Sequence, residues 1–101
     1  MGYKLRFVQT FDKKEETRFL ELEKNFILLE ERAGELTPGR RYVPVTGRQP
    51  TNTLVWEADF PSLEEAVACL NAIEGNAEHD RLLEEQVGAM RDAYVEIYRQ
   101  L

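Results

Sequence analysis

A few side chains in this sequence carry chemistry that a bound molecule could use. His79 is the only histidine, and histidine titrates near neutrality without a large shift. It could serve as a general base. It stands in Glu78-His79-Asp80 at the start of a strongly charged helical stretch, so its simplest reading is an exposed side chain. Trp56 offers a flat ring for stacking on an aromatic ligand, but its apolar alternates make core packing the simpler reading. Arg6 and Glu57 fall on one face of two strands expected to be neighbours. They read as a cross-strand ion pair worth ~0.2–1 kcal/mol, or as a charge pair that orients a polar ligand. Arg48 and Asn52 sit in a loop at the strand ends, where Arg48 could hold an anion. That loop lacks the glycine density of a phosphate cradle. Tyr42, Tyr94 and Tyr98 would present hydroxyls to a pocket or to the rim of a dimer interface. The candidate ligand-binding residues are therefore Arg6, Arg48, Asn52, Trp56, Glu57, His79 and Tyr94, and no catalytic constellation stands out among them.

Composition narrows the classes. The net charge is −6, and the densest basic spots, Lys13-Lys14 and Arg40-Arg41, are short and read as solvated surface charge. A nucleic-acid partner is not expected, because binding one requires cations that displace phosphate counterions. One cysteine, Cys69, allows no intramolecular disulfide and reads as buried and inert. One Cys and one His do not make a zinc site of the usual kind, and no acidic run has a calcium-loop spacing. No metal or cofactor is assigned. No apolar run approaches membrane-spanning length and the N-terminus lacks a signal-peptide core, so the expectation is a cytoplasmic protein without a membrane partner. The 101 residues are read as one domain, 1–101.

These side chains need elements to hold them. Residues 3–11 alternate, with Tyr3, Leu5, Phe7 and Phe11 on one face and Lys4, Arg6, Val8 and Thr10 on the other, which predicts a half-buried strand. Asp12 and Glu15 form a capping box for a helix over about 13–33. Its stripe is Phe19, Leu22, Phe26, Leu29 and Ala33, widened by Leu20, Ile27 and Leu28. Gly34 is expected to end it in a left-handed conformation. Residues 42–46 have strand character, and Pro44 makes this an edge or short strand. Residues 53–60 alternate again. Ser62 and Glu65 form a second capping box for a helix that stops at Gly75-Asn76. A further helical piece is expected over about 78–91, with Val87 and Met90 inward. Residues 93–100 keep helical spacing yet are rich in strand formers. Strand is the reading adopted, because a four-stranded sheet needs a partner for its first strand.

The order is β-α-β-β-α-β. Together with Gly47-Arg48, Asn52-Thr53-Leu54-Val55-Trp56-Glu57, Phe60-Pro61-Ser62-Leu63-Glu64-Glu65-Ala66 and the closing Glu96-Ile97-Tyr98-Arg99, it resembles the dimeric α+β barrel proteins. Within them it is similar to small bacterial NIPSNAP-like proteins and to antibiotic-biosynthesis-type monooxygenases. The resemblance implies an α+β, ferredoxin-like antiparallel sheet with helices on one face, working as a homodimer. It implies a small aromatic or polar ligand, and, as an alternative, a cofactor-independent monooxygenase acting on an aromatic or polyphenolic compound. In that case Trp56 would stack, Arg6 or Arg48 would hold a phenolate, and His79 would be the base. Haem-degrading relatives use an asparagine on the first strand with a tryptophan and a histidine; this first strand carries Gln9 instead. Leu5, Phe7, Leu54, Trp56 and Phe60 are expected under the helices, with the reverse assignment, Trp56 inside the barrel, left open. The opposite face would line the barrel interior and enclose water or a small ligand.

Overall fold

A computed structural model describes residues 2–101. Strand β1 (Tyr3–Phe11) leads through a 3-10 turn into helix α1 (Glu16–Arg32). Strands β2 (Arg40–Tyr42) and β3 (Thr53–Phe60) follow, then helices α2 (Leu63–Glu74) and α3 (Ala77–Val87), and finally strand β4 (Met90–Arg99). The sheet order is β2-β3-β1-β4, antiparallel throughout. This is the ferredoxin-like α+β arrangement expected from the sequence.

The C-terminal segment is a strand. It pairs along the whole of β1, from Tyr3↔Arg99 to Phe11↔Met90. Without it, the central strand would expose a row of unpaired backbone groups. Ser62 caps α2 as expected, its Oγ accepting from the Glu65 amide at 3.2 Å, but the Glu65 carboxylate accepts from the Ser62 hydroxyl at 3.0 Å and not from the backbone amide that a full capping box uses. Asp12 caps the 3-10 turn, accepting from the Lys14 amide at 3.0 Å.

Four local expectations are corrected. Strand β2 is Arg40–Tyr42, not 42–46, because the pairing Arg40↔Glu57, Arg41↔Trp56 and Tyr42↔Val55 stops short of Pro44, which has no N–H to give. Helix α1 ends without a left-handed glycine: Ala33 turns extended at φ −91°, ψ 110°. Helix α3 stops at Val87, so Met90 belongs to β4, and Val87 is exposed. Ile27 and Leu28 face solvent instead of widening the α1 stripe.

The faces are those of the first assignment. Leu5, Trp56 and Ala58 pack with Phe26 and Leu29 of α1, Cys69 and Ile73 of α2, and Leu82 of α3, with Phe7 and Phe60 at the edge. Phe11, Phe19 and Leu54 form a second cluster, with the Phe11 and Phe19 rings stacked at 4.7 Å. The other face carries ion pairs. Glu57 sits between Lys4 at 3.3 Å and Arg6 at 2.9 Å, Arg6 reaches Glu96 at 3.4 Å, and Arg40 reaches Asp59 at 2.6 Å. Val8 and Val55 on this face are nonetheless buried. Their row runs between Tyr42 and Tyr94, and the segment after β2 reaches across to it, with Gln49 donating to the Tyr94 hydroxyl at 2.6 Å. Among the described residues no helix is long and apolar enough to cross a membrane.

Candidate functional site

The site begins with two acids inside an apolar stripe. On α1, Phe19, Glu23, Phe26 and Glu30 follow one another at helical spacing, so both carboxylates are carried inward with the phenylalanines. Burying carboxylates requires partners. Arg41 of β2 supplies them. Its Nε donates to Glu23 Oε2 at 2.6 Å, and its terminal nitrogens donate to both oxygens of Glu30. Arg41 is thus not solvated surface charge; its side chain is 14% exposed, whereas that of Arg40 is 50% exposed. The neighbouring strand register explains the difference, since Arg41 stands opposite Trp56 on the helix-covered face.

Glu30 gathers more. Its Oε1 also accepts from the Trp56 indole N–H at 3.1 Å and from the Gly39 amide at 3.0 Å. Gly39 lies so close to the indole that an added Cβ would stand 2.0 Å from it, which is why a residue without a side chain occupies this turn. Glu23 Oε1 accepts from Gln86 of α3 at 2.9 Å. Burial raises the Glu23 carboxyl above its ordinary value of 4.5, although Arg41 and Gln86 pull the other way. Burial disfavours the Arg41 charge, but the hydrogen bonds and charges of Glu30 and Glu23 outweigh it and hold the guanidinium firmly protonated.

Above this cluster, between the sheet and helices α1 and α3, lies a cavity of about 340 Å³. Phe7, Phe26, Trp56, His79 and Gln86 are among the residues that line it, with Gln9 and Met90 at one side. Trp56 is 5% exposed and edges onto Phe7 at 5.2 Å, so it is at once a core residue and a cavity wall. The His79 ring packs edge-on against Phe26 at 4.8 Å. Burial lowers its pKa below 6.5, and Arg41 adds to this while Asp80 and Glu30 oppose it. Gln9 donates to Met90 Sδ at 3.6 Å. Among the described residues, no group of three His, Cys, Asp or Glu converges as a metal site would require. The geometry is that of a largely apolar pocket with a few convergent polar groups, the usual form of a small-molecule site.

Solved structures share this architecture. A NIPSNAP family protein from Agrobacterium tumefaciens aligns over 100% of this chain and 94% of its own, with a TM-score of 0.76 at 11% identity. An uncharacterised NIPSNAP domain protein from Burkholderia xenovorans aligns over 100% of this chain and 95% of its own, with a TM-score of 0.70 at 10% identity. An antibiotic biosynthesis monooxygenase aligns over 98% of this chain and 98% of its own, with a TM-score of 0.72 at 10% identity. The chain has the fold of NIPSNAP proteins and antibiotic biosynthesis monooxygenases. No protein-family model and no curated protein matches the sequence.

On this NIPSNAP-like frame the seven candidate residues separate. Trp56 and His79 line the cavity, whereas Tyr94 borders it from β4 with its side chain on the opposite sheet face, opposite Val8. Arg6 and Glu57 lie on the opposite sheet face, paired with each other. Arg48 is exposed in the loop after β2. Asn52 is buried, and its amide donates to the Phe11 carbonyl at 2.6 Å, tying that loop to β1. The cavity lies on the helix side of the sheet and not on the face expected to enclose a ligand. Sequence reasoning missed Glu23, Glu30, Arg41 and Gln86. The available signal was two acids at heptad spacing within an apolar stripe, which a solvated face would not carry. Cys69 is buried as expected, and burial raises its thiol pKa against a weaker opposing contact from Thr37.

Proposed function

We propose that this chain is a small-ligand-binding protein of the dimeric α+β barrel kind, and that its ligand is a planar molecule held in the helix-side cavity against Trp56. One observation carries the reading: Gln9, Trp56 and His79, from three separate elements, line a single cavity of about 340 Å³. The cavity is open past the exposed Val87 and Val95, so a small molecule has a way in, and an apolar cleft with a few convergent polar groups is the usual form of a ligand site. Of the candidate residues, Trp56 and His79 would contact the ligand, while the Tyr94 side chain faces the other side of the sheet. Arg6, Glu57, Arg48 and Asn52 would serve the opposite face and its loop.

The same proposal has two copies meeting through the sheet face that the helices leave uncovered. Its exposed tyrosines, Tyr42, Tyr94 and Tyr98, and the ion pairs of Lys4, Arg6, Glu57 and Glu96 support that use. A lone buried thiol suits a reducing, cytoplasmic setting.

Native mass spectrometry of freshly purified protein tests the reading. The expected result is a dimer carrying a small adduct that is lost in Ala93→Phe, which fills the cavity from an exposed strand position. A bare protein, or an adduct retained in the filled variant, would overturn it.

A second reading, a cofactor-independent monooxygenase, is favoured by His79, whose pKa burial lowers, lining the same cavity as Trp56, and by the fold shared with an antibiotic biosynthesis monooxygenase. An electron-rich ring supplies its own electrons to oxygen, and a neutral imidazole takes its proton. Oxygen uptake with hydroquinones that disappears in His79→Phe would support it; no uptake across a broad panel would end it.

A further inference from the structure

The charged cluster beside the cavity does not balance. Glu23 and Glu30 share one guanidinium, leaving one excess negative charge among buried groups. Burial is the main cause of the raised Glu23 carboxyl pKa, and the nearby Glu30 charge adds to it only slightly. Arg41 commits Nε and both terminal nitrogens to the two carboxylates, so it is not on offer to an incoming anion. Glu74 and Asp80 add further negative charge along the lining, and His79, held uncharged by burial, does not offset it.

A second observation is independent of the charges. Gln86 lines the cavity and is 0% exposed. Its Nε2 is fixed by donation to Glu23 and, at 3.4 Å, to the Phe19 carbonyl. Its Oε1 is buried with no donor. A buried acceptor without a partner is costly, and most such atoms in folded proteins find one. The aromatic walls add a third point: Phe7, Phe26 and Trp56 present π systems, whose faces attract cations.

We propose that the cavity selects an organic cation with a flat aromatic ring, of the class of protonated arylalkylamines, whose N–H donates to Gln86 Oε1 and whose charge offsets the excess of the Glu23–Arg41–Glu30 cluster. This rests on the reading of the cavity as a ligand site and adds the chemical class of what enters it.

Three matched probes test it: 2-naphthylmethylammonium, 2-naphthalenemethanol and 2-naphthoate. They share a ring system and differ in charge. The sole tryptophan gives one indole N–H resonance, and Trp56 lines the cavity, so its shift reports occupancy for each probe. The expected order is ammonium, then alcohol, then carboxylate, with at least about tenfold between the first and last, equivalent to roughly 1.4 kcal/mol. Glu23→Gln removes the excess charge and should shrink the gap to about threefold or less. The wild-type order stands as a test even if that variant fails to fold. Equal binding of all three probes, or a preference for naphthoate, would overturn the cation inference and leave the cavity as a ligand site. Unchanged preference in a folded Glu23→Gln would overturn the role of the cluster. No indole shift with any probe would overturn both the inference and the reading beneath it.

Discussion

Glu30 shows how one side chain ties fold to site. It accepts from a strand arginine, a strand tryptophan and a turn amide, so three segments are fixed around one carboxylate. Gly39→Ala tests the tightness of that arrangement. The new methyl group would collide with the Trp56 indole, and overpacking of this kind costs about 1–3 kcal/mol, read as a lowered Tm. An unchanged Tm would mean that the indole has room to move. His79 gives a pH prediction. The unfolded imidazole titrates near 6.5 and the folded one lower, through burial. Between those values the unfolded chain holds more protons, so stability rises with pH there. The contribution of the buried neutral ring is complete above 6.5 and lost as pH falls through the folded pKa. As the only histidine, its ring resonances should give a midpoint below 6.5; a midpoint at or above it would contradict the burial argument. At this scale the sequence singled out Trp56 and His79, although its simplest readings are core packing for the first and exposure for the second, and both line the cavity. It hid Glu23, Glu30 and Arg41, because paired buried charges and solvated ones have the same composition, and only tertiary pairing separates them.

Elements were more legible than side chains. Alternation found β1 and β3, and cap chemistry found both ends of α2, because those signals are local. The end of the chain was harder. Residues 93–100 satisfy helical and strand patterns together, and pairing along β1 decides the matter. Gly75-Asn76 signals a stop in the sequence, yet Asn76 is also a start: its side chain accepts from the His79 amide at 2.8 Å. That cap sets the first turn of the helix that brings His79 and Gln86 to the cavity. Asn76→Ala should therefore cost about 1 kcal/mol in denaturant unfolding, as loss of an N-cap typically does. A stability equal to wild type would show that α3 is held by packing alone. The Val43-Pro44-Val45 run looks like a strand, yet the arginines two residues before its expected start supply the β2 pairing.

At the scale of the molecule, a sheet with helices on one side leaves two surfaces for two tasks. The helix side holds an apolar cavity with a charged floor. The other side is laced with ion pairs and tyrosines and is proposed to meet a second copy. Sedimentation at micromolar concentration should give a two-chain particle, and Arg6→Glu, which sets a third carboxylate between Glu57 and Glu96, should dissociate it. The division of labour between the faces is the central claim. The most direct test is an NMR titration of labelled protein with 2-naphthylmethylammonium, following the Trp56 indole N–H together with the backbone amides of Arg6 and Glu57. The indole resonance should move saturably while the Arg6 and Glu57 amides stay in place. Movement of those two amides with a stationary indole would place the ligand on the open sheet face and contradict it.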